Sequence, residues 1–247
     1  MGILSLKIAL ALLLLWATAS LIRMRIRIER GKRVAATAVA FERNIPHATT
    51  RILIAGDSTA VGVGAARPEE SVAGRFGTEN PNAEIINISR SGKRIHELRE
   101  ELNRLPAQKF TLVVLMIGGN DIVHLTDLRL VEADLTALLT MAKKMSPVVL
   151  VVHSGNIGAA PLFPWPVGLF YTSRTRKIRA IYIQKTQELG AIYVDLFKER
   201  HDDIFLSNPE KYYLPDRFHP SSDGYAVWYS AIKQALASAG PTPGIQR

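Results

Sequence analysis

Five short runs of apolar, mostly β-branched residues recur down this chain, at 51–56, 84–89, 111–117, 147–153 and 191–196. Between them the apolar residues repeat every three to four positions. A run such as Leu112-Val113-Val114-Leu115-Met116-Ile117 has no polar side, so a strand made from it must be covered on both faces. The intervening stripes read as helices: Ile95, Leu98, Leu102 and Leu105; then Val131, Leu135, Leu138, Ala142 and Met145; then Ile178, Ile181, Tyr182 and Leu189, closed by Gly190. This alternation predicts a parallel sheet between two helical layers, with ligands bound at the carboxyl ends of the strands. About 200 residues follow the N-terminal segment, enough for one domain with an ample core. No internal repeat or low-complexity tract interrupts them.

The N-terminus is of another kind. Ile8 to Ile22 is an unbroken apolar and small-residue run, and it reaches twenty residues if it starts at Ile3 with Lys7 snorkelling. It is a membrane segment or a signal peptide. Ala17-Thr18-Ala19 resembles a small-residue cleavage site, which would export the chain after cleavage. Arg23, Arg25, Arg27, Arg30, Lys32 and Arg33 follow at once, and such a flank favours a single retained anchor of the bacterial inner-membrane type. The organisation expected is an anchor or signal segment with its basic flank at 1–33, a linker at 34–50, a catalytic domain at 51–238 and a frayed tail at 239–247.

Residues 1–33 hold seven Lys/Arg and one Glu, so they carry +6 of the total +9 and leave the domain only mildly basic. No basic stripe interleaved with aromatics appears. This argues against a nucleic-acid partner and for anionic lipid headgroups near the apolar segment. The absence of cysteine excludes disulfides and thiolate chemistry and is compatible with either side of a membrane.

Four polar motifs come in a fixed order, each after a predicted strand or before a predicted helix: Gly56-Asp57-Ser58, Ser91-Gly92, Gly118-Gly119-Asn120-Asp121, and Asp216-Arg217-Phe218-His219-Pro220. Taken singly, each is an ordinary turn, helix cap or surface pair. Together they supply a nucleophile, a base, an orienting acid and oxyanion donors, the parts needed for acyl transfer through a serine ester. Ser58 falls on the turn leaving a buried strand. Asp216 and His219 are close enough for one loop turn to hold the carboxylate on one imidazole nitrogen while the other faces Ser58. Ser221 or Ser222 can cap a following helix that carries Tyr225, Trp228, Ile232 and Leu236 on one face. Asn120 can donate an uncharged hydrogen bond, and a bare backbone N–H at Gly92 can approach a ligand.

In these residues the chain resembles the SGNH (GDSL-like) hydrolases, whose blocks are named for the Ser, Gly, Asn and His matched here by Ser58, Gly92, Asn120 and His219. The resemblance runs from about Arg51 to about Leu236. It implies a three-layer α/β/α fold with a five-stranded parallel sheet of flavodoxin-like type, and a lipase or esterase activity. It implies Ser58 as nucleophile, Asp216 and His219 completing the triad, and an oxyanion hole from the N–H groups of Ser58 and Gly92 and the Asn120 side chain. The substrate implied is a small-molecule or lipid ester of the lysophospholipase or esterase type, and no cofactor is called for. Thr59 stands where many members have leucine. The positive-inside rule would place the domain in the cytoplasm, whereas many members act outside the cytoplasmic membrane, so the two indications oppose each other.

Rival readings are weaker on the residues. Gly56-Asp57 and Gly119-Asn120-Asp121 echo fragments of metal-dependent phosphoesterases, but His47, His96, His124, His153 and His201 are scattered without ligand spacing. Gly62-Val63-Gly64 lacks a third glycine at position 67 and no Gly-Lys-Ser/Thr occurs, which disfavours nucleotide binding. A membrane-tethered binding module that lost turnover would not need Ser58, Asp216 and His219 together. The segment from Ser154 to Tyr171, rich in Pro, Gly and aromatics, is expected to be irregular and to line an acyl pocket, touch lipid or pack on the domain's own surface.

Overall fold

The computed structural model describes residues 2–240 and 244–245. Five parallel strands, β1 (Thr50–Gly56), β2 (Ala83–Asn87), β3 (Leu112–Met116), β4 (Val149–His153) and β5 (Ile192–Asp195), form one sheet in the order β2-β1-β3-β4-β5. Each lies within two residues of a predicted run. Strict alternation along the strands sorts the core into two halves. Ile52, Ile54, Val114 and Met116 face one side, packed by α3 (Val72–Glu79) and by Tyr225 and Ile232 of α10 (Ser222–Ser238), which follows the short helices α8 (Ile204–Ser207) and α9 (Pro209–Tyr212). Leu53, Ala55, Val113 and Leu115 face the other, under α4 (Ile95–Arg104), α6 (Leu128–Met145) and α7 (Val167–Glu188). Both faces are thereby dry, as the uninterrupted apolar runs require.

The strand order places a topological switch between β1 and β3. The chain leaves these neighbours toward opposite helical layers and opens a crevice at their carboxyl ends. Two short helices begin there, α2 (Ser58–Val61) and α5 (Gly119–Val123). Asp57 caps the first through its carboxylate, which accepts from the Thr59 N–H at 2.9 Å.

Three boundaries differ from the sequence reading. Helix α7 begins at Val167, inside the segment expected to be irregular, because Pro166 stands before the first turn, where a missing N–H costs nothing. The predicted linker is tied down: Arg43 and Ile85 exchange backbone hydrogen bonds at the edge of β2, and the Arg43 guanidinium donates to Gly77 O at 2.7 Å. In the tail, Gly244 O accepts from Thr50 Oγ1 at 3.2 Å and Ile245 is buried in the core, while residues 241–243 and 246–247 lie outside the described residues.

The N-terminal helix α1 runs unbroken from Ile3 to Thr37, through the Ala17-Thr18-Ala19 site and the whole basic flank. Its first half exposes Leu6, Leu10, Leu13 and Leu14. Its second half rests on the domain.

Candidate active site

The strand-end crevice gathers four of the predicted residues from three places in the chain. Ser58 opens α2 directly after β1. Its Oγ lies 3.0 Å from His219 Nε2, and His219 Nδ1 lies 2.6 Å from Asp216 Oδ2. The other carboxylate oxygen, Oδ1, accepts the backbone N–H groups of Phe218 at 2.9 Å and His219 at 3.0 Å, so one turn of loop fixes both partners. Burial pushes the Asp216 carboxyl up, but the His219 hydrogen bond and charge together with the two N–H donors outweigh it and hold the group below the usual carboxylate range. The carboxylate is therefore ionised and aimed at the imidazole. Of the two candidate caps Ser221 and Ser222, Ser221 caps α10 by accepting from Gly224 N at 3.2 Å, which anchors the chain just past His219.

On the far side of the crevice Asn120 sits in the first turn of α5. Gly118 takes φ +114° to make that turn, and a Cβ there would collide with the Tyr182 hydroxyl, which donates to Ile117 O at 3.0 Å. The Asn120 amide donates one hydrogen to Lys93 O at 3.1 Å, which leaves its second hydrogen free. Gly92, at φ +82°, has open space around its α-carbon, in the turn beside that same Lys93 carbonyl. Arg90 N donates to Gly56 O at 3.1 Å and holds this turn against the end of β1.

Several supporting residues carry roles that the sequence reading did not give them. Lys93 is fully buried, donates from Nζ to Ile88 O at 2.8 Å and pairs with Glu101, so it staples the Gly92 turn to α4. Asp121 is buried and accepts from Ile95 N at 3.1 Å, which ties α5 to the start of α4. Thr59 donates its hydroxyl to Asp57 at 2.8 Å, a bond that leucine could not make. Burial raises the Asp57 carboxyl to about 6, against the opposing pull of the Thr59 hydrogen bonds and the His219 charge. Gly31 of α1 lies against Asp216: a Cβ on it would stand 2.7 Å from Asp216 Oδ2.

A cavity of about 670 Å3 opens on Ser58, Asn120 and His219 and continues between β5 and α10, past Phe205, Trp228 and Ala235. Part of the predicted loop reaches it, through Ser154, Asn156, Ile157 and Ala160; Asn156 Oδ1 itself accepts from Thr172 Oγ1 at 2.9 Å.

A parallel α/β/α sandwich carrying a serine, histidine and aspartate in hydrogen-bond sequence at its switch point defines the class: a hydrolase acting on ester bonds. The chain belongs to the GDSL-like lipase/acylhydrolase family, whose family model matches residues 54–227. Solved structures of similar fold include TesA, at 16% identity and TM-score 0.61 over 77% of this chain and 100% of that one. An extracellular lipase from Streptomyces rimosus is similar at 18% identity and TM-score 0.60, over 78% and 100% of the two chains. An acetylxylan esterase from Geobacillus stearothermophilus is similar at 21% identity and TM-score 0.55, over 81% and 97%. A search of curated protein sequences gives no match.

Proposed function

We propose that the protein is a membrane-anchored serine esterase that works through an acyl-enzyme on carboxylic esters with an extended apolar acyl chain. The observation that carries this reading is the unbroken relay from Ser58 Oγ through the His219 imidazole to Asp216. His219 Nε2 takes the hydroxyl proton as Ser58 Oγ attacks the carbonyl carbon. The new oxyanion rests on the N–H groups of Ser58 and Gly92 and on the free hydrogen of the Asn120 amide. His219 then gives its proton to the departing alcohol oxygen, leaving the acyl group on Ser58. Water repeats the sequence: His219 takes a proton from it, the hydroxide adds to the acyl carbon, and Ser58 leaves with that proton. Asp216 stays ionised throughout and stabilises the imidazolium.

The cavity supports a lipid-like acyl group. It falls in the size range of ligand sites, and its walls beyond the crevice include Val194, Phe205, Trp228 and Ala231. Retention of α1 as the anchor is supported by its unbroken course through the small-residue site and by the seating of Gly31 on the Asp216 loop. The test is hydrolysis of p-nitrophenyl esters of graded chain length. Ser58→Ala abolishes turnover while leaving the fold intact, and kcat/KM rises with chain length; undiminished turnover in that variant would refute the mechanism, and a preference for acetyl would refute the acyl groove.

A further inference from the structure

Helix α1 meets the domain along one stripe. Ala17, Ser20, Met24, Arg27, Gly31 and Ala35, spaced three or four apart, are its shielded residues, and those between them are exposed. Gly31 sits on Asp216; one turn nearer the N-terminus, the Arg27 guanidinium donates to Pro161 O at 2.6 Å. Arg27 thereby ties the helix, one turn before Gly31, to the start of the 161–170 segment. Beyond Pro161 this segment turns Trp165, Leu169 and Phe170 outward, 70%, 60% and 54% exposed, three large apolar side chains clustered in one short stretch. Neighbouring Phe163 packs edge-on against Phe218, and Leu162 N donates to Arg217 O at 3.1 Å, so the exposed patch is joined to the loop that carries Asp216 and His219.

A hydrocarbon core of about 30 Å needs roughly 20 helical residues, which here means Ile3 to Ile22. The shielded stripe already begins at Ala17. Ala17 and Ser20, shielded within an otherwise exposed stretch, thus overlap the end of that span, residues 17–22 or about 9 Å of helix. Interfacial apolar faces sink roughly 5–10 Å below the headgroups, so the overlap has the right depth for the adjoining domain surface to enter the interfacial layer. Resting on the reading of α1 as a retained anchor, we infer that Trp165, Leu169 and Phe170 form a membrane-dipping patch that seats the catalytic face on the bilayer. Tryptophan is enriched at that level of a membrane. The rim near Pro161 suits anionic headgroups: Arg27, Arg30 and Arg217 line one polar recess, where Arg217 pairs with Glu210 at 2.8 Å and the two other guanidiniums add positive charge. An ester dissolved in the same leaflet then reaches Ser58 across the patch and not through bulk water.

The experiment uses the full chain in phosphatidylcholine vesicles with added phosphatidylglycerol, their acyl chains brominated at defined depths. Bromine quenches tryptophan on contact, and Trp16, Trp165 and Trp228 are separated by comparing wild type with Trp16→Phe and Trp165→Phe. Trp165 emission is quenched most by bromines near the headgroup end of the chains. Replacing Leu169 and Phe170 by serine lowers that quenching and cuts turnover of a bilayer-resident ester about tenfold, with turnover of a soluble short ester unchanged. Quenching of Trp16 without quenching of Trp165 overturns the inference while the anchor stands; quenching of neither overturns the anchor reading. Trp165 shielded within a stable oligomer also overturns it, since the patch would then cover a second copy. The quenching readouts do not depend on Ser58 chemistry.

Discussion

Gly31→Ala separates the contribution of the N-terminal helix from ordinary helix propensity. On propensity alone, alanine in the interior of a helix is worth about 1 kcal/mol over glycine, so α1 should gain stability. The structure predicts a loss of function instead. The added Cβ arrives 2.7 Å from Asp216 Oδ2, where ordinary van der Waals contact begins at 3.4 Å, so something must give by 0.7 Å. Asp216 cannot swing aside freely, because Oδ1 is held by two backbone N–H groups and Oδ2 is the atom bonded to His219 at 2.6 Å. Lengthening that bond past about 3.2 Å forfeits most of a charge-assisted hydrogen bond, roughly 1.5–3 kcal/mol, or about 10- to 100-fold in kcat. The assay is steady-state hydrolysis of a soluble short-chain ester by the full-length protein in detergent, so that membrane access plays no part. A kcat equal to wild type, with α1 merely more stable, would refute the packing of this helix on the triad acid.

Asp57→Asn should change the pH dependence of stability. The folded pKa of about 6 lies above the unfolded value near 3.8, so the native state binds the extra proton, and the contribution present below pH 3.8 is lost as pH rises through 6. The loss is about 3 kcal/mol at this order of magnitude. Urea unfolding at pH 4 and pH 8 should therefore show the variant gaining on wild type at the higher pH by an amount of that order, and a pH-independent difference would count against a buried charge. Asn120→Ala removes one oxyanion donor and should lower kcat by about 10²- to 10³-fold with little change in KM; a pure KM effect would relegate Asn120 to substrate binding. Dialysis against a chelator should leave ester turnover unaltered, and a loss restored by added divalent metal would revive the phosphoesterase reading.

The sheet was legible because its strands are apolar on both faces, and a run such as Leu112 to Ile117 leaves little choice of environment. Ser58, Asn120, Asp216 and His219 were legible because each belongs to a short motif at a strand end or helix start. What the sequence concealed is long-range. Gly31 reads as one residue in a basic flank, and nothing local signals that it faces a carboxylate 185 positions later. Lys93 looks like a surface lysine until Ile88 O and Glu101 are found around its ammonium. Thr59 looked like a departure from the family pattern and proves to be a second donor to Asp57. The start of α7 was hidden by Pro164, Pro166 and Gly168, residues that break a helix interior but are tolerated before its first full turn.

Covalent trapping reads out Ser58 as the nucleophile activated by His219. A fluorophosphonate incubated with the folded full-length protein should give a single adduct, located by peptide mass spectrometry on Ser58 and formed far more slowly in His219→Ala. Adduct formation at another residue, or ester turnover that persists once Ser58 is fully modified, would rule out Ser58 as the activated nucleophile.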